Sequence, residues 1–322
     1  MREHGGNLDA AIKRFGGRPE DWIDLSTGIN RQPYPVGELR SRSWTALPSR
    51  SEIDALHEAA RTAYGTRAAV LAVAGAQAAI QMLSRLAQPA RACILAPTYN
   101  EYGPVLASAG WRVEDAGDLD ALEGADLAVV VNPNNPDGRE HDTGRLLALA
   151  SRVKGLVVDE SFADANPAIS LAEEAGREGL LILRSFGKFY GLAGLRLGFV
   201  LGSEADIVTL ADMTGPWPVS GAAIEIGRRA LLDHGWAEMT RARLARASMR
   251  LDELAEGAGW KLIGGTPLFR LYAAGDAAVA QERLARARIW SRIFDGKPPW
   301  LRLGLPGNEP EWDRLAAALS AS

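Results

Sequence analysis

The residues able to do chemistry in this chain stand directly after short apolar runs. Lys188 closes the segment Arg184-Ser185-Phe186-Gly187-Lys188, which follows the run 180–183. Among aromatic and glycine neighbours an ammonium is poorly hydrated, so its pKa falls and the nucleophilic amine is favoured. Lysines are scarce here: of 36 basic residues only Lys13, Lys154, Lys188, Lys261 and Lys297 are lysines. Asp159 and Glu160 follow the run 156–158, which sets a carboxylate at the end of a buried strand, where it calls for a cationic partner. Asn132-Pro133-Asn134-Asn135-Pro136-Asp137-Gly138 follows 127–131 and is a dense turn signal. Gly75 follows 69–74 and opens a helical stretch, leaving backbone N–H groups suited to a phosphate. Taken singly, each has a plain alternative as surface lysine, connecting turn or helix start.

The elements that must position these groups alternate. The runs 69–74, 92–96, 127–131, 156–158 and 180–183 read as buried strands, with amphipathic pieces such as 76–86 and 143–152 between them. That pattern predicts an α/β fold, a three-layer α/β/α large domain with a mainly parallel sheet, and ligands beyond the carboxyl ends of its strands. Ser51 begins a capping-box-like SEID, and Ile53, Leu56, Ala60 and Ala63 at helical spacing predict a helix over 51–64, ended by Gly65. After Gly215-Pro216-Trp217-Pro218 come two Arg-rich helical segments, 220–233 and 236–257, with Gly235 between them. A smaller α+β domain then holds the run 268–272, a helix over 277–287, the segment 300–304 and a terminal helix from Glu309. The expected division is an N-terminal arm over 1–45 with a short helix near 7–15, a large domain over 46–240 and a small domain over 241–322. A length of 322 residues suits two domains.

Composition narrows the function. With 24% charged and 47% hydrophobic residues the chain is an ordinary globular one. A net charge of −4 and a pI near 5.7 provide no basic field for a nucleic acid. Cys93, the single cysteine, lies within 92–96 and reads as a small buried hydrophobe. His57, His141 and His234 lack ligand spacing with one another or with Cys93, so no metal site is expected. Neither a GxSxG elbow nor a P-loop is present. The first residues carry no apolar signal-peptide core, and no run approaches the ~20 residues that span a bilayer. The expectation is a cytoplasmic protein with no membrane partner.

Taken together and in this order, the Asn-rich turn, the strand-end carboxylate, the lysine in SFGK and Arg196 in GLRLG resemble the fold-type I family of enzymes that use pyridoxal 5'-phosphate. The resemblance runs from Leu25 to the final helix. It implies that Lys188 binds the cofactor covalently and then carries protons, and that Asp159 pairs with the pyridine nitrogen so that the ring can accept an electron pair from Cα. It further implies that Asn135 bonds the phenolic oxygen, that Tyr99 in PTYNEY stacks on the ring, and that Gly75, Ala76 and Gln77 hold the phosphate with Ser185 and Arg196. Ala76 lacks the hydroxyl many relatives offer, which throws more weight on backbone donors. Arg302 in WLRLG matches the family's carboxylate-binding arginine, whose planar fork suits a bidentate pair.

Two subfamilies compete, the histidinol-phosphate aminotransferases and the threonine-phosphate decarboxylases of cobalamin biosynthesis. The opening HGGN at His4 to Asn7 and DLSTGIN at Asp24 to Asn30 resemble the decarboxylases, with His4 and Asn30 as substrate contacts. Phe162 in DESF stands where transaminases commonly carry a tyrosine, and Arg292 in IWSRIF resembles a decarboxylase arginine that contacts the substrate phosphate. The implied partners are a small phosphorylated amino acid and a second copy of the chain in a homodimer. The implied reaction is decarboxylation of threonine phosphate to aminopropanol phosphate, with the carboxylate turned perpendicular to the ring plane by Arg302 and the phosphate contacts. Transamination is the alternative, and a non-catalytic cofactor-binding regulatory module is a remote one. Leu47-Pro48 replaces the Tyr-Pro pair many transaminases have, which removes the usual tyrosine contact to a neighbouring subunit's cofactor.

Overall fold

A computed structural model describes residues 4–320. The chain divides into two compact units, one of residues 34–135 and 140–238, the other of residues 1–33, 136–139 and 239–322. The units meet along the chain at Pro33/Tyr34 and Glu238/Met239, and the turn segment 136–139 is grouped with the N- and C-terminal parts.

The unit of residues 34–135 and 140–238 is built on seven strands: β1 (Ala69–Val73), β2 (Arg91–Leu95), β3 (Arg112–Ala116), β4 (Leu127–Val131), β5 (Leu156–Asp159), β6 (Leu180–Ser185) and β7 (Gly198–Gly202). They lie in the order β1-β7-β6-β5-β4-β2-β3. The pairs β6–β5, β5–β4, β4–β2 and β2–β3 are parallel, while β7 runs antiparallel to both of its neighbours. Every residue of β4 and β6 is buried, as central strands of a sheet covered on both faces require. One layer of the core joins the sheet to the helices Ala76–Leu83, Tyr102–Ser108 and Glu204–Thr214 through Ile80, Leu83, Val105, Leu106 and Leu210 against Val129, Val157 and Val200.

Three details differ from the sequence expectation. The helix Arg50–Tyr64 is capped by Ser49, not Ser51. The Ser49 side chain accepts from the N–H of Glu52 and the Glu52 carboxylate accepts from the N–H of Ser49, a reciprocal box displaced by two residues. Gly235 lies inside the helix His234–Gly257, and the break before that helix falls at Asp233. Strands β3 and β7 are absent from the sequence expectation: β3 is a mostly exposed edge strand, and the short apolar run of β7, between two glycines, adjoins the GLRLG motif.

The other unit contains a four-stranded antiparallel sheet of β8 (Lys261–Thr266), β9 (Phe269–Ala273), β10 (Arg292–Ile293) and β11 (Trp300–Gly304), in the order β10-β11-β9-β8. The helices Asp9–Phe15, Ala277–Arg286 and Glu309–Ser320 also belong to it, and Ile23–Asp24 pairs in parallel with Ile289–Trp290. Among the described residues no helix is long and apolar enough to cross a membrane.

Candidate active site

The sheet topology gathers the reactive groups on one edge of the 34–238 unit. Strands β1, β4, β5 and β6 all end there, and β7, running the other way, begins there. Consequently Gly75, Asn135, Asp159, Ser185 and Lys188, at or just after the ends of the first four, meet Arg196 and Leu197 before the start of the fifth, around one cleft. Ala76, Gln77, Tyr99, Ser161 and Phe162 complete the functional part of its lining. The nine residues that the resemblance assigns to the cofactor thus line one cavity.

Asp159 is 3% exposed, and its carboxylate is satisfied without an arginine. Oδ1 accepts from the Ser161 N–H at 2.9 Å and the Ser161 hydroxyl at 2.5 Å, while Oδ2 accepts from the Tyr102 hydroxyl at 2.7 Å. Oδ2 has room for a second donor, since a carboxylate oxygen takes two. Burial, then the neighbouring Asp159 charge, pushes the Tyr102 phenol well above its ordinary pKa, so it stays a donor. The expected cationic partner belongs to Glu160 instead. Successive strand side chains point to opposite sides, so of two adjacent carboxylates one lines the cleft and the other turns away from it. Glu160 accepts from Arg184 at 2.7 Å, and the same guanidinium donates to Asp164 at 2.7 Å and lies 4.3 Å over the ring of Tyr64. Burial opposes the charge on Arg184, but Asp164 and Glu160 outweigh it and hold the guanidinium protonated.

At the other end of the cleft Gly75 caps the helix Ala76–Leu83 at φ +81°, where a Cβ would lie 2.8 Å from Nη2 of Arg196. Gly198 is equally constrained, since a Cβ there would lie 2.7 Å from the Ala76 nitrogen. Two missing side chains therefore let the helix start, the strand β7 and a guanidinium close together, leaving the N–H groups of Ala76 and Gln77 beside Ser185 and Arg196 in the cleft. Tyr99 donates to Gln77 Oε1 at 3.3 Å, and Gln77 Nε2 donates to Glu101 at 3.1 Å, which fixes the aromatic ring edge-on to Tyr102. Lys188 stands on the one-turn helix Phe186–Phe189, with Nζ 5.6 Å from the centre of the buried Phe162 ring.

His4, Asn30, Arg292 and Arg302 belong to the other unit. His4 is exposed. Asn30 is buried, and its Oδ1 accepts from the Gln32 N–H and from Arg243, each at 3.0 Å. Arg292 and Arg302 are direct partners across β10 and β11. Arg302 is buried, donates to the Ser26 carbonyl at 2.7 Å and lies 5.1 Å over the Phe269 ring. Burial first and the Arg292 charge second lower its pKa to about 10, against the pull of Asp24. Like charges opposite each other on neighbouring strands repel, an arrangement that favours an anion as third partner.

Sequence reasoning missed Tyr102, Ser161, Arg184 and Arg243. Tyr102 carried a usable signal, since it is the second tyrosine of PTYNEY and opens the helix after β2.

The family model for aminotransferase class I and II matches residues 20–319. The chain belongs to the class I and II aminotransferase family. Among relatives of this aminotransferase-family chain, a protein of Sinorhizobium sp named threonine-phosphate decarboxylase is 45% identical, over 98% of this chain and 97% of that protein. One of the same name from Pseudomonas aeruginosa is 42% identical, over 99% and 97%. Among solved structures, a histidinol-phosphate aminotransferase from Sinorhizobium meliloti in complex with pyridoxal-5'-phosphate superposes with a TM-score of 0.86 at 21% identity, over 97% of this chain and 93% of that one. At that identity the likeness concerns the fold, an α/β architecture with a mainly parallel sheet. Within the family, class membership covers both transaminases and decarboxylases, so the reaction must be argued separately.

Proposed function

We propose that this protein uses pyridoxal 5'-phosphate to decarboxylate L-threonine O-3-phosphate to (R)-1-amino-2-propanol O-2-phosphate, a step of cobalamin biosynthesis. The observation that carries the reading is the near full-length identity of 45% and 42% to two proteins named threonine-phosphate decarboxylase. The residues fit the cofactor. One cleft holds an amine, a buried carboxylate with one acceptor position to spare, and a cradle of N–H groups with a guanidinium where Gly75 leaves space for one.

When bound, the cofactor supplies an electron sink for the pair left at the substrate's Cα as CO2 departs. Lys188 would hold it through Nζ and, when free of it, would move a proton within the cleft. Asp159, aimed by Tyr102 and Ser161, would accept from the ring nitrogen's N–H. Ala76, Gln77, Ser185 and Arg196 would hold the phosphate group, Asn135 would donate to the phenolic oxygen, and Tyr99 would stack on the ring. Phe162 presents no hydroxyl where transaminases commonly have one. On the substrate, Arg302 takes the carboxylate, His4 and Arg292 take the phosphate, and Asn30 is held by Arg243 for a further contact. The protein works as a homodimer.

The test is a paired assay. Incubation with L-threonine O-3-phosphate without an amino acceptor yields CO2 and aminopropanol phosphate in equal amounts. Amino transfer from histidinol phosphate to 2-oxoglutarate with no gas from threonine phosphate would replace this reading with the transaminase one.

A further inference from the structure

Lys188 stands on a helix of four residues, Phe186–Phe189. A helix that short has no stability of its own, so its orientation is set by whatever packs on it. Phe186 stacks on Tyr190 at 4.3 Å and 10°, and Tyr190 stacks in turn on Trp236 at 5.5 Å and 12°. Phe189 meets both of the latter edge-on, at 5.3 Å and 86° to Tyr190 and at 5.5 Å and 79° to Trp236. The indole thus meets Phe189 directly and Phe186 through Tyr190. The indole is held edge-on by the Tyr34 ring at 5.2 Å and 80°, and its main chain is located as well: the backbone N–H of Trp236 donates to Asp233 Oδ1 at 3.0 Å, and the Tyr34 hydroxyl donates to Asp233 Oδ2 at 3.3 Å. The Tyr34 N–H also donates to the Tyr190 carbonyl at 2.9 Å, so the backbone after Lys188 is tied to the same group.

We propose that Trp236 is a positioning residue for Lys188, its indole fixing the one-turn helix so that Nζ is presented to the cofactor in one orientation. The inference rests on the reading of Lys188 as the cofactor-binding lysine. No motif of the sequence marks Trp236, and it lies outside the lining of the cleft. A wide, rigid ring is what the arrangement needs, because stacking constrains tilt as well as distance.

The holoenzyme tests it. The visible band of the lysine-bound cofactor is titrated with pH in the parent, Trp236→Leu and Trp236→Phe, beside kcat, KM and thermal midpoints. Trp236→Leu is expected to lower kcat about tenfold with KM nearly unchanged, and to move the midpoint of the band by at least about half a pH unit. Trp236→Phe, which keeps a ring against Tyr190, falls between. A Leu variant that melts earlier but keeps the parent's band midpoint and kcat makes the indole mere filling and overturns the proposal. Should the Leu variant not fold, the Phe variant decides in the same way: a moved midpoint supports the proposal and an unmoved one overturns it. A parent without any visible band after soaking in the cofactor refutes the functional reading itself, and this proposal with it.

Discussion

The hydroxyl of Tyr102 donates to Oδ2 of Asp159 at 2.7 Å, and both groups are buried. The carboxylate that ends β5 is therefore aimed by the first residue of the helix after β2. Tyr102→Phe removes that donor and leaves the two from Ser161. Because a hydrogen bond to a charged group contributes about 1.5–3 kcal/mol, cofactor affinity should fall roughly tenfold or more with the fold intact. Absorbance titration of the apoenzyme with pyridoxal 5'-phosphate measures the first, and circular dichroism the second. Unchanged affinity would mean that Ser161 alone orients Asp159.

A second prediction concerns the pair behind the cleft. Arg184 bridges Glu160 and Asp164, and all three are almost wholly inaccessible. Arg184→Met leaves two buried carboxylates without their cation, a loss of about 3–5 kcal/mol. Arg184→Lys should recover little, since one ammonium does not reproduce two 2.7 Å contacts together with stacking on Tyr64. Denaturant unfolding of the three proteins gives the comparison, and a lysine variant as stable as the parent would contradict it.

Acid should weaken the fold through His57. Its Nε2 accepts from the Ala72 N–H at 3.1 Å, and burial, then the nearby Arg61 charge, lowers its pKa to about 4. The unfolded histidine titrates near 6.5, so between these values the unfolded chain binds the extra proton. The stabilisation is complete above pH 6.5 and is lost as pH falls towards 4. Allowing for partial exposure, it is worth about 1–3 kcal/mol. His57→Gln, which keeps an acceptor but does not titrate, should flatten stability over that window. Parallel pH profiles for the two proteins would contradict this.

The two arginines facing each other across β10 and β11 predict a response to anions. Inorganic phosphate should raise the thermal midpoint more than chloride at equal ionic strength, since a ligand of the folded state alone stabilises it. Arg292→Gln relieves the repulsion on Arg302, so it should melt higher without phosphate and gain little from its addition. Equal effects of both salts on the parent would contradict the arrangement as an anion site.

How much of this was legible in the sequence follows from where side chains sit. Strands β4, β5 and β6 are covered on both faces and read as apolar runs, so the residues just after them were found. Edge strand β3 has largely exposed side chains and left no pattern. Asp159 was legible as a strand-end acid, but its partners were not. Tyr102 is 57 residues away in sequence, and only the sheet order brings β2 and its following helix to β5. The cationic partner foreseen for that acid went to Glu160, a difference that strand alternation explains after the fact.

The central claim is that Lys188, of five lysines in the chain, holds the cofactor. Reduction of the cofactor-loaded protein with borohydride, followed by peptide mass mapping, tests it most directly. The account predicts a phosphopyridoxyl group on the peptide containing Lys188, and none on those containing Lys13, Lys154, Lys261 or Lys297. A label on any of those four, or a reduced protein with Lys188 unmodified, would contradict it.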